Sequence, residues 1–164
     1  MAAEIVIDAA LFMGMHAAEE SARLACKSFF TSNLATPMLM PLEQVGLCDD
    51  LIWRLPRDTQ DAYYPFMDNL HSLLCVERPG YGRGDAEIGF GSAALDGLPD
   101  HERLLLGFVL RKGGTLHTAS PRLTGRTGLP VRGIETPGAD RAFPKTLETL
   151  YEQSLKLTVP AADL

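Results

Sequence analysis

Three carboxylates stand where a chain of alternating strands and helices could use them. Asp8 closes the apolar run Ile5-Val6-Ile7. Glu43 follows Pro37-Met38-Leu39-Met40 and lies in the first turn of the helix that Pro41 opens. Asp100 opens the helix that leads into Thr115-Leu116-His117-Thr118. Hard oxygen ligands of this kind suit Mg2+ or Mn2+, which keep several waters and bridge to phosphate. A cation held this way can activate a water for phosphodiester hydrolysis and stabilise the leaving oxygen. The same residues have a plainer use. Asp is a favoured helix cap, and acids in a first turn complement the helix dipole.

Other chemistries find less support. Asp8-Ala9-Ala10 lacks a second Asp two residues on, which disfavours a haloacid-dehalogenase-type phosphatase. There is no Gly-x-Ser-x-Gly elbow and no phosphate-binding loop. His16, His71, His101 and His117 show no zinc spacing. Gly80-x-Gly82-x-Gly84 lacks the spacing and setting of a dinucleotide fingerprint. Cys26, Cys48 and Cys75 are far apart and odd in number, so buried free thiols are expected rather than disulfides. Trp53 and the Tyr63-Tyr64 pair could stack on bases, but packing is the expected role.

The elements that must position these residues alternate along the chain. Ile5-Val6-Ile7 is β-branched and apolar, as a buried strand is. Residues 15–30 have helical spacing, with Ala18, Ala22, Ala25 and Phe29 in phase. Residues 37–40 predict a second strand and residues 41–55 a second helix. Residues 58–74 predict a third helix, kinked or divided at Pro65. A short strand is expected at 75–77. Residues 79–98 are glycine-rich and aperiodic, and predict a long loop. Leu104 to Leu110 is apolar nearly all round, so its helix is deeply buried, with Gly113 as its stop. A strand at 115–118, a last strand at 130–134 and a terminal helix within 143–158 complete the series. Strand–helix alternation argues for an α/β fold: three layers, α/β/α, around a mostly parallel sheet. Ligands of such sheets lie at the carboxyl ends of the strands.

At 164 residues the chain is expected to be one domain over 1–164, with a composition ordinary for a globular protein. No apolar run approaches a membrane span, and no signal-peptide pattern is present, so a cytoplasmic protein with no membrane association is expected. The net charge of −6 lowers the expectation of a nucleic-acid partner without removing it.

The order of these motifs resembles the PIN domain, the metal-dependent ribonuclease fold known from bacterial toxin–antitoxin pairs. Ile5-Val6-Ile7-Asp8, Leu39-Met40-Pro41-Leu42-Glu43 and the passage from Asp100 through Gly113 to Thr118 carry the resemblance. It implies Asp8, Glu43 and Asp100 as catalytic metal ligands for Mg2+ or Mn2+, RNA as substrate, and a homodimer. The family usually continues Thr-x-Asp, whereas this chain has Thr118-Ala119-Ser120, so the fourth acid is missing from its place. Thr118 and Ser120 become accessory residues, Ser120 as a hydroxyl that could hold a metal-bound water. The alternative is a catalytically silent PIN-like protein that binds a ligand or protein partner, within a biosynthetic pathway for example.

Overall fold

The computed structural model describes residues 2–135 and 140–164. Five short strands form one sheet: β1 (Ile5–Ile7), β2 (Met38–Leu39), β3 (Val76–Glu77), β4 (Thr115–His117) and β5 (Val131–Arg132). Their order is β3-β2-β1-β4-β5, and every neighbouring pair is parallel. Around them lie α1 (Ala9–Gly14), α2 (Glu20–Ser32), α3 (Leu42–Trp53), α4 (Arg57–Leu73), α5 (Arg83–Gly91), α6 (Asp100–Lys112), α7 (Pro121–Thr124) and α8 (Lys145–Ser154). The result is the three-layer α/β/α architecture that the alternation predicts. No helix among the described residues is long and apolar enough to cross a membrane.

The strand period of two divides the core. Ile5 and Ile7 face a large cluster built with α1, α2, α3, α4 and α8, including Phe12, Phe30, Ile52, Phe66 and Tyr151. Val6 faces the other way, into a cluster with Leu105, Leu106, Phe108 and Val109 of α6 and with Leu116. The chain moves outward from β1 in one direction to β2 and β3, and in the other to β4 and β5. The crevice beside β1 is therefore the point where the topology switches direction, and ligands of open parallel sheets gather there.

Several expectations change. The helix expected over 15–30 starts later, at Glu20, and a separate short helix, α1, precedes it directly after Asp8, with a break following Gly14. The broken stretch gives its backbone to a distant partner: Val159 N donates to His16 O at 2.8 Å and Ala18 N to Val159 O at 2.9 Å. Helix α4 runs unbroken through Pro65. Pro65 and Asp61, whose carbonyl the proline leaves unpaired, are both exposed, so water can satisfy that carbonyl. The expected loop over 79–98 holds α5 and a 3-10 turn at Ala93–Leu95. One of its glycines, Gly89, permits a close approach of backbones, whereas Gly97 takes the positive φ of a turn. A Cβ on Gly89 would come within 2.4 Å of Arg103 O, and one on Gly107 of α6 within 2.1 Å of Asp85 O. Cys26 and Cys48 are buried as expected, but Cys75 is exposed. Trp53 is not packed: it is 72% exposed at the end of α3.

Candidate functional site

Register places the first pair. Because β1 and β4 run parallel with Ile7 opposite His117, the next residues, Asp8 and Thr118, meet at the carboxyl ends of the two strands. The Thr118 hydroxyl donates to Asp8 Oδ2 at 2.6 Å, and Leu11 N donates to Oδ1 at 2.9 Å. Asp8 is thus the N-cap of α1 and a member of the strand-end crevice at once. Thr118 Oγ1 accepts in turn from Ser120 N at 3.0 Å, which fixes the turn into α7. Asp8 is only 3% exposed. Burial pushes its carboxyl up from 3.8 to about 6, against the two hydrogen bonds, with the Glu102 charge adding to the rise.

A cavity of about 240 Å³ opens above this pair. Of the residues expected from sequence, Asp8 and Ser120 line it. Glu43 and Asp100 do not. Asp100 is exposed at the start of α6, and Glu43 is half-buried at the start of α3, where its charge is felt by Tyr81. Their places are taken by Gln44 and Glu102, which line the cavity and are 3% and 4% exposed. A helix turns 100° per residue, so a shift of one or two positions moves a side chain to another face. A signal for the correct positions exists in the sequence. Gln44 is in phase with buried Cys48 and Ile52, and Glu102 with Leu105, Leu106 and Val109.

Each of these side chains is held. Gln44 Oε1 accepts from Ala9 N at 3.0 Å, while its Nε2 is buried without a partner. The Tyr81 hydroxyl lies near that amide, yet it too lacks a well-formed hydrogen bond. Arg122 of α7 grips Glu102 with Nε at 2.9 and 3.1 Å from its two oxygens and a terminal nitrogen at 2.5 Å. Sequence reading missed this arginine. His101 Nε2 is 3.9 Å from Glu102, beyond hydrogen-bond length. At the rim Arg54 pairs with Asp50, and Asp163 and Leu164 close one side. The Ser120 hydroxyl is buried with no partner, so no group is placed to take its proton and make it a nucleophile.

A family model described as "Family of unknown function (DUF6190)" matches residues 1–164. The chain belongs to that family. No curated protein matches it.

The donor set can be tested against a divalent cation. Glu102 already has a cationic partner, and Gln44 has its only acceptor oxygen tied to Ala9. The Gln44 nitrogen left without a partner is an N–H donor with no lone pair to give a metal ion. Among the described residues no group of three or more His, Cys, Asp or Glu side chains is placed to hold a metal. As arranged, these residues do not fit Mg2+ or Mn2+.

Proposed function

We propose that this chain is a PIN-like α/β domain that binds a small ligand in the cavity at the ends of β1 and β4, without hydrolysing nucleic acid. The observation that carries this reading is the Glu102–Arg122 ion pair. It places a guanidinium where the metal-dependent reading needs a bare carboxylate. Gln44 beside Asp8 works in the same direction, because an amide carries no charge to offer a cation. The deciding experiment is Mn2+ titration by calorimetry on wild type and Asp8→Asn, with an RNA-cleavage assay on the same samples. Flat titrations and no cleavage are expected. Saturable Mn2+ uptake that disappears in Asp8→Asn overturns the proposal.

One observation favours a second reading, a Mg2+- or Mn2+-dependent ribonuclease. Asp8 and Glu102 reach the same cavity from β1 and α6, close enough for the Glu102 charge to help raise the Asp8 carboxyl. That reading requires Arg122 to release Glu102 when RNA binds. It therefore expects Mn2+-dependent RNA cleavage that is lost in Asp8→Asn.

A further inference from the structure

Gln44 has only one way to sit. A backbone N–H can only donate, so the side-chain atom facing Ala9 N must be the oxygen, Oε1, at 3.0 Å. That leaves Nε2 buried without a well-formed hydrogen bond: one of its hydrogens can turn to the nearby Tyr81 hydroxyl, which leaves the other for the cavity. Ser120 adds a second unused group, its hydroxyl, on a side chain that is likewise almost wholly buried. Buried polar groups in native proteins are otherwise nearly always paired, and two in one wall mark a place where something else binds. Between them stands Asp8. Each of its oxygens accepts one hydrogen bond from the protein, and each keeps a free lone pair.

The site thus offers donors and an acceptor side by side. Its arginines do not favour an anion. Arg54 and Arg122 are already paired with Asp50 and Glu102, so no lining arginine is free for an anion. The Gln44 amide donor opposes a cation, because an N–H carries partial positive charge and no lone pair. Ala10, Met13, Leu47, Leu51 and Leu105 add apolar wall, and His101 and Asp163 also line it. The cavity is several times the roughly 30 Å³ share of one water, so a single bridging water would not fill it.

We infer that the cavity takes a neutral, planar amide on an apolar body, whose carbonyl accepts from Gln44 and Ser120 while its N–H donates to Asp8. This rests on the reading of the cavity as a ligand site rather than a metal centre.

Three probes on one phenyl ring separate the charge classes: benzamide, benzoate and benzylammonium, titrated into 15N-labelled full-length protein by NMR. Benzamide should shift the amides of Ala9 and Ser120 saturably and bind at least about tenfold tighter than the other two, the value of one good hydrogen bond. Gln44→Glu keeps the acceptor for Ala9 and removes the donor. It should weaken benzamide by about tenfold and move the preference toward benzylammonium. If circular dichroism shows that Gln44→Glu does not fold, Ser120→Ala gives the same test with a smaller change, weakening benzamide alone. A preference of wild type for either charged probe, equal affinity for all three, or no response to benzamide overturns the inference. Those outcomes leave the ligand-site reading standing as long as Mn2+ titration of the same sample stays flat. Mn2+ uptake that is lost in Asp8→Asn removes the reading beneath it instead.

Discussion

Glu102 is buried in the cavity wall, and Arg122, itself half in water, is its counter-ion. Removing one partner of a buried pair leaves the other charge without compensation, which is worse than never having had the pair. Arg122→Gln should therefore lower stability by about 2 kcal/mol, read by urea denaturation, with water reaching the exposed side limiting the loss. On the ligand-site reading, the same variant frees Glu102 beside Asp8 and opens a cation site. Millimolar Mn2+ should recover part of the lost stability in Arg122→Gln and leave wild type unmoved. An equal response of both proteins would show that Arg122 does not neutralise Glu102 in the way described.

Between elements, the most extensive contact among the described residues is the crossing of α5 and α6. Asp85 anchors one side of it: its Oδ2 accepts from Gly82 N at 2.7 Å and its Oδ1 from Arg111 of α6 at 2.5 Å. Gly89 and Gly107 let the two backbones touch. Gly107→Ala would push a methyl into Asp85 O and Gly89 N, both backbone atoms that cannot swing aside. Overpacking should outweigh the gain in helix propensity and lower stability by about 2–3 kcal/mol. Gly46 on α3 is the contrast, since a Cβ there meets nothing within 4 Å. Gly46→Ala should raise stability by about 0.5–1 kcal/mol in the same thermal or urea assay. These glycines also explain what could be read in advance. The strand–helix alternation was legible because apolar periodicity is local, and it led to the parallel sheet with Asp8 at its switch point. The glycine-rich stretch was not, because a glycine serving helix contact and a glycine serving a loop look alike until the partner helix is known. The acids of the site were legible by type but not by face: Glu43 and Asp100 are one and two residues from Gln44 and Glu102, which the buried side of each helix selects. Arg122 could not be seen at all, since it meets Glu102 only through tertiary packing.

Across the whole molecule, buried titratable groups pull stability in opposite directions with pH. Asp8 is raised from 3.8 to about 6 by burial, so its contribution is fully present below pH 3.8 and is lost as pH rises through 6. His16 and His71 are lowered by burial from 6.5 to about 3 and about 4. Their contributions are present above pH 6.5 and are lost as pH falls toward those values. Between pH 4 and 6.5 the folded protein gains a proton at Asp8 while the unfolded chain gains protons at the two histidines, so the effects partly cancel. Asp8→Asn removes one side of that balance. Its stability should fall more steeply on acidification than that of wild type. Relative to wild type it should gain about 2–3 kcal/mol between pH 4 and pH 7.5. Parallel curves for the two proteins, measured by urea denaturation across that range, would contradict the burial of an ionisable Asp8. Lys27 supplies a long-range tie in the same body. It is buried between α2 and α8, bonded to Glu148 at 2.7 Å and Asp140 at 2.9 Å, with its ammonium over the Tyr151 ring.

The exposure of Trp53 has a spectroscopic consequence. It is the chain's single tryptophan, and its indole already stands in water in the folded protein. Its emission will change little when the protein unfolds, so a fluorescence melt would miss most of the transition that far-ultraviolet dichroism records. That dye-free signal is therefore a poor thermometer of the fold, and the stability series of its variants call for dichroism instead.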